Sequence, residues 1–206
     1  MSHHGVWCEA CDAALPYLAG SHCPVCAKPA PNGEVCGHCL KDPPAFSHTV
    51  AVFAYSFPID RLIQAMKYDE QIFLARMMAK KLAPLPDRSN LPDCLIAMPL
   101  HPARLKSRGF NQAQLIAKPL SKSLGIPLLN QACQRLRDTP SQTSLPYDQR
   151  GKNMRGAFGC DADFSGKHVA LVDDVMTSGA SMNALAKAAL TKGAARVSAW
   201  VIARTT

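Results

Sequence analysis

Residues 169–181 read VALVDDVMTSGAS. The apolar run Val169, Ala170, Leu171 and Val172 ends abruptly in two acids, Asp173 and Asp174. After Val175 and Met176 the small residues Thr177, Ser178, Gly179, Ala180 and Ser181 lead into an amphipathic helix. The pattern is that of a buried strand running into an anion cradle. The strand carries the acids to the carboxyl edge of a parallel sheet, where ligands of open α/β folds bind. The small-residue loop puts backbone N–H groups and three hydroxyls at a helix N-terminus, where unpaired donors and the helix dipole favour phosphate. Carboxylates cannot hold that phosphate. They suit the hydroxyls of a sugar, or a divalent cation that bridges sugar and phosphate oxygens. The implied ligand is a ribose 5-phosphate.

The stretch resembles the 5-phosphoribosyl-1-pyrophosphate (PRPP) signature of type I phosphoribosyltransferases: an apolar strand, two acids, then a T-[TS]-G-x-[TS] loop. The resemblance implies an α/β fold of the type I phosphoribosyltransferase-like kind, a parallel twisted sheet flanked by helices. It implies that Asp173 and Asp174 hold the ribose hydroxyls and Mg2+, that Thr177 to Ser181 hold the 5-phosphate, and that Val175 and Met176 belong to the same site. Plain helix capping at a strand end is the competing explanation; it does not demand that thirteen residues keep each chemical class.

The charge of the 206-residue chain is as uneven as its cysteines. Residues 101–155 carry ten Lys and Arg against Asp138 and Asp148, which accounts for the whole net charge of +8. Such concentration implies a polyanionic ligand, pyrophosphate or nucleic acid or both. Of nine cysteines, six fall in the first 39 residues as three CxxC pairs, Cys8/Cys11, Cys23/Cys26 and Cys36/Cys39. No apolar run of membrane-spanning length and no signal peptide is evident, so membrane insertion is not expected and the expected compartment is reducing and cytoplasmic. There, paired cysteines mean metal more often than disulfide, and Cys94, Cys133 and Cys160 stand alone.

Each CxxC pair aims two thiolates at one tetrahedral zinc, and two pairs close a structural site. Three pairs exceed the need of one ion. The knuckle-like string CPVCAKP favours Cys23, Cys26, Cys36 and Cys39, with Cys8 and Cys11 left for a second, partial site. Six unligated core thiols are the alternative, but a segment so poor in large apolar residues has little else to fold around. The pair Pro43-Pro44 closes this module, so the chain is expected to divide into a cysteine-rich zinc-binding module, 1–44, and a phosphoribosyltransferase-like domain, 45–206.

Along that second part the patterns predict a strand at Thr49–Tyr55 and two helices over 60–82 broken near Tyr68 and Asp69. A short strand is predicted at Leu95–Pro99, a helix over Gln112–Leu124 that Pro119 kinks, a helix from about Ser178 to Lys192, and a last strand Val197–Ala203. Asp138 to Arg155 reads as a long functional loop. Strands alternating with helices argue a parallel sheet. Between them, residues 98–112, MPLHPARLKSRGFNQ, read as a tight basic loop. In a phosphoribosyltransferase a loop at this place holds pyrophosphate, which assigns Pro99, Leu100 and His101 with Arg104 and Arg108 to that group. A solvated basic loop before a helix is the plain alternative.

Several strings together resemble the ComF family of competence proteins: the multi-CxxC module ending in CGHCLKDPP, MKY at Met66 to Tyr68, RGFNQ, the R-x-R-x-T-x-x-Q-T-x-L loop from Arg135, the later Arg150 and Asn153 leading to GAF, and VDDVMTSG. The resemblance spans nearly the whole chain in order. Compared with the fuller family pattern, one N-terminal CxxC pair is missing, so a single well-formed zinc is expected. What the family implies is a cytoplasmic bacterial protein linked to natural transformation, with structural Zn2+, Mg2+ arriving with PRPP, single-stranded DNA as a partner, and other DNA-uptake proteins nearby. Lys67 and the 135–155 loop would close over the PRPP site.

Two functions of different classes stay open. One is a PRPP-binding, single-stranded-DNA-binding protein of DNA uptake, with Lys118, Lys122, Arg135, Arg137, Arg150, Lys152 and Arg155 on the nucleic acid and Phe110, Tyr147 and Phe158 stacking on bases. The other is an active phosphoribosyltransferase that releases pyrophosphate from PRPP onto an unidentified base, nucleotide or DNA acceptor. No stretch reads as a base-recognition hood, and no cysteine at residue 1 or 2 offers the nucleophile of a glutamine-hydrolysing amidotransferase.

Overall fold

The computed structural model describes residues 8–69, 71–138, 154 and 156–206. Its centre is a four-stranded parallel sheet in the order β1-β6-β5-β2, formed by β1 (His48–Ala54), β2 (Cys94–Ala97), β5 (His168–Met176) and β6 (Arg196–Arg204). Period-2 alternation feeds two cores. Val169, Leu171, Val197 and Ala199 face one side with Met182, Leu185 and Ala189 of the last helix. Ala170, Val172, Trp200 and Ile202 face the other, against Ile63, Met78, Ile116 and Leu120. A sheet covered on both faces needs apolar residues at every step, which is why β5 reads as an unbroken run.

The second core is roofed by α3 (Ile59–Tyr68), α4 (Phe73–Leu82) and α6 (Gln112–Leu124). The predicted break between α3 and α4 falls where expected. Helix α6 starts at Asn111, whose carboxamide oxygen accepts from the N–H of Ala113 at 3.0 Å, and stops at Gly125 with φ +70°. It carries Pro119 in its interior.

Two elements depart from the sequence reading. Residues 102–108, expected as loop, form α5 (Pro102–Arg108), with the His101 ring accepting from the N–H of Ala103 and left-handed Gly109 ending it. Proline at the first helical position and glycine just past the last are the ordinary start and stop signals. The second departure is an antiparallel pair, β3 (Cys133–Arg135) with β4 (Phe158–Cys160), in which Cys133 lies directly opposite Cys160 and bonds it as a disulfide. Those two thiols were expected to stand alone. Most of the loop predicted over 138–155 lies outside the described residues.

The cysteine-rich segment, with α1 (Glu9–Ala13) and α2 (Gly37–Lys41), packs along the outer edge of β1. The Leu18 N–H donates to Val52 O at 2.9 Å and the Ala54 N–H to Pro16 O at 2.8 Å, which covers an edge that would otherwise template pairing with another chain.

Candidate functional site

Strand β2 last pairs with β5 at Ala97 and Val172, so the acids lie just beyond the end of β2, at the carboxyl edge of the sheet. There β5 meets α7 (Ala180–Thr191), and Tyr55, Lys67, Asp173 and residues 175–182 line a solvent-open cleft. The two acids do different things because neighbouring strand residues point to opposite faces. Asp173 looks into the cleft. Asp174, 3% exposed, looks toward α3, where its carboxylate meets the ammonium of Lys67 at 2.5 Å. Burial and the neighbouring Asp174 charge push the Asp173 carboxyl well above the usual carboxylate range, against the pull of Lys67. Burial works against the Lys67 ammonium, but the charge and hydrogen bond of Asp174 hold its pKa above the ordinary lysine value.

The loop after β5 is shaped at both ends. Gly179, the N-cap of α7, sits at φ +81°, a conformation costly to any residue with a Cβ. From behind, the guanidinium of Arg204 donates to the carbonyls of Met176, at 2.8 Å, and Thr177. In a trans peptide the following N–H points opposite to the carbonyl, so the N–H groups of Thr177 and Ser178 are directed away from Arg204. With the N-terminal turn of the 12-residue α7, the cleft has the donor side of a phosphate site and one carboxylate for a hydroxyl or cation.

The cations assigned to pyrophosphate gather beside this cleft. Lys67, Arg104 and Arg108 line a notch with Tyr68, Ser107 and Phe110, and Lys67 also lines the cleft at the end of β5. Arg104 Nε lies 3.3 Å from the Asp138 carboxylate, and the Arg108 guanidinium lies 5.4 Å from the centroid of the Tyr68 ring. Pro99 and Leu100 instead line a separate depression with Asn111, Gln114 and Arg135, and His101 caps α5.

In the N-terminal segment the sulfur atoms of Cys23, Cys26, Cys36 and Cys39 lie within 4.8 Å of one another. Cys26 Sγ and Cys36 Sγ are 3.7 Å apart, close to the edge of about 3.8 Å that a zinc tetrahedron with bonds of about 2.3 Å requires. Burial alone would raise the Cys23 thiol, but N–H groups of Cys36, Cys26 and Val25 donate to its sulfur and lower it to about 6, whereas burial pushes the Cys26 and Cys39 thiols up. The four residues therefore fit a closed structural site. Cys8 and Cys11, named with them in the sequence reading, are exposed at the start of α1 and lie outside this group of four.

The residues expected on DNA fall on several elements, and part of the set lies outside the described residues. Lys118 and Lys122 are exposed on α6 and Arg137 is exposed beyond β3. Arg135 is 8% exposed with its guanidinium over the buried Phe158 ring, and it lines the depression shared with Pro99 and Leu100. Arg150, Lys152, Arg155 and Tyr147 lie outside the described residues. The sequence reading missed Tyr55 and Tyr68, and it missed Arg204, the single cation ending the apolar string WVIAR; a charge at the end of a buried strand was the available signal.

Among the described residues no helix is long and apolar enough to cross a membrane. A family described as a double zinc ribbon domain matches residues 1–40. The solved purine phosphoribosyltransferase from Pyrococcus horikoshii OT3 is 18% identical with a TM-score of 0.37, covering 76% of this chain and 87% of its own, a likeness too loose to carry an argument. The DNA utilization protein YhgH of Salmonella typhimurium is 34% identical over 100% of this chain and 92% of its own length. Competence protein F of Haemophilus influenzae is 32% identical over 96% and 84%, and Competence protein ComFC of Bacillus subtilis 26% over 96% and 83%. Similarity of this level along the entire chain, with the cysteine cluster and parallel sheet in place, makes the protein a member of the ComF family.

Proposed function

We propose that the chain is a PRPP-binding protein of the bacterial cytoplasm that also binds single-stranded DNA and serves natural transformation. The observation that carries the ligand is the cleft at the end of β5, where Asp173, Lys67 and the Thr177–Ser181 loop meet. Relatives named competence and DNA utilization proteins, aligned along nearly the whole chain, support the competence-related role. In this reading residues 1–44 form the zinc-binding module and 45–206 the ligand domain.

Each residue has a separate task. The loop amides and hydroxyls of Thr177 to Ser181 take the 5-phosphate, Asp173 takes ribose hydroxyls, and Asp174 keeps Lys67 charged and aimed at the junction of cleft and notch. Arg104 and Arg108 take the pyrophosphate across that junction. Mg2+ arriving with PRPP would neutralise pyrophosphate charge, and the carboxylate of Asp173 is the hard oxygen donor that suits it.

Transfer onto a base, nucleotide or DNA acceptor is the second reading, favoured by the continuity of cleft and notch through Lys67. Following pyrophosphate while the protein is incubated with PRPP and Mg2+, alone, with an oligonucleotide and with free bases, separates the two. The expected result is PRPP retained and unconsumed. Acceptor-dependent release above the protein-free rate would replace holding by transfer, and failure to retain PRPP would remove both.

A further inference from the structure

The Cys23–Cys26 knuckle offers three successive carbonyls to the sheet. Thr49, in β1, donates from its N–H to Pro24 O at 3.2 Å and from Oγ1 to Val25 O at 2.6 Å. Arg204, the last residue of β6, donates from Nε to Cys26 O at 2.7 Å. The Nη1 atom of the same guanidinium donates to Met176 O at 2.8 Å, to Thr177 O, and to Thr205 O at 2.9 Å. Arg204 is 1% exposed. One buried, rigid plate thus grips a cluster cysteine with one edge and the phosphate loop with another. A guanidinium is planar with its donors in a fixed fork, so the two edges cannot move independently.

We propose that Arg204 is a positioning residue that couples the ribose-phosphate loop to the zinc-binding cluster, so that affinity for PRPP depends on the metal. The ligand rests on the PRPP reading above; the coupling does not. Apart from its cysteines, the small core around the cluster holds Ala30, Val25 and Val35. Without zinc the knuckle keeps Thr49 on its first two carbonyls and Val25 against the main core, but it loses the metal bond that fixes the Cys26 end. Releasing Cys26 O would take one acceptor from the buried guanidinium, and the plate would shift to compensate. That shift takes the guanidinium from the carbonyls of Met176 and Thr177, leaves them the weaker donors Thr205 N–H at 3.2 Å and Thr205 Oγ1 at 3.4 Å, and loosens the common direction of the loop amides. Linkage makes the effect reciprocal: if zinc tightens PRPP, PRPP tightens zinc by the same factor.

The test uses the full zinc-loaded chain and compares wild type with Arg204→Lys, which keeps the charge but reduces the fork to one nitrogen. The expected outcome is that the variant keeps its zinc, that amides 177–181 exchange faster, and that PRPP binds about tenfold more weakly, the scale of one charge-assisted hydrogen bond. PRPP is expected to slow loss of zinc to a chelator from wild type and not from the variant. Loop exchange and chelator kinetics identical in the two proteins would overturn the coupling. Should Arg204→Lys fail to fold, zinc extraction from wild type decides. Faster exchange in the loop with β2 and β5 still protected is expected, whereas an unchanged loop, or a sheet that opens together with it, would refute the relay. If zinc-loaded wild type does not bind PRPP, the ligand reading fails while exchange still reports on Arg204.

Discussion

Asp173 and Asp174 are neighbours in sequence with opposite energetic characters. Asp173 has its folded pKa raised by burial and by Asp174. A raised carboxyl contributes its stability in full below the ordinary value of 3.8, and loses it as pH rises from there through the folded value. Asp173→Asn keeps an oxygen for the Asp174 N–H, now 2.9 Å from Oδ1, and removes the strained charge. It should raise Tm at neutral pH by about 2–4 °C, the equivalent of ~1 kcal/mol for a chain of this size, with the gain vanishing near pH 3. Asp174→Asn should do the reverse. It strands the Lys67 ammonium, whose side chain is 21% exposed, and should cost about 3 kcal/mol, the low end for breaking a buried pair. Thermal melts across pH check both; equal behaviour of the two variants would count against the opposed facing of the side chains. That the pair mattered was legible from the residues. That the two diverge follows from strand alternation, but the partner of Asp174 comes from a helix about a hundred residues earlier in the chain, and no local pattern carries that pairing.

Among the elements, legibility tracked apolar periodicity. Helix α6 was readable to its ends because Ile116, Ala117 and Leu120 recur at helical spacing between a capping asparagine and a glycine. Helix α5 was not, because it buries no residue and its basic side chains dominate the string. Its signals were conformational, in Pro102 and Gly109. The β3–β4 pair escaped because each strand has three residues and its partner lies across the 139–153 segment. Positive φ gives a controlled test of the loop after β5. Gly179 and Gly125 sit at φ +81° and +70°, and a Cβ at either meets nothing closer than 3.7 Å. Alanine at each should cost about 1–2 kcal/mol in chemical denaturation, the left-handed penalty. Only Gly179→Ala should also weaken PRPP binding; equal losses of affinity would mean the loop has no special role. Lys118 and Lys122 on α6 test the DNA surface. Replacing both by Ala should flatten the log–log salt dependence of oligonucleotide binding by about 0.7 for each DNA phosphate the protein no longer neutralises. An unchanged slope would place the nucleic acid elsewhere.

For the whole molecule, the Pro43-Pro44 pair marks a boundary in the sequence, and the structure ties the cysteine segment to β1 and β6 through Thr49 and Arg204. Such contacts join residues far apart in sequence, so composition marks the segment without showing where it docks. Four cysteines complete one tetrahedral site, and purified protein should carry about one zinc per chain. Elemental analysis checks this. A ratio near zero without chelator would exclude the structural metal, and a ratio near two would bring Cys8 and Cys11 back as ligands.

The proposed ligand chemistry depends on the cleft at the end of β5 taking PRPP through Asp173 and the loop that follows. Calorimetric titration of PRPP with Mg2+ into zinc-loaded protein decides this, with Asp173→Asn as the comparison because that variant should fold at least as stably as the natural chain. Saturable binding by the natural chain is predicted, weakened about tenfold or more by the substitution, or ~1.4 kcal/mol. Absence of binding by the natural chain, or the same affinity in the well-folded variant, would contradict it.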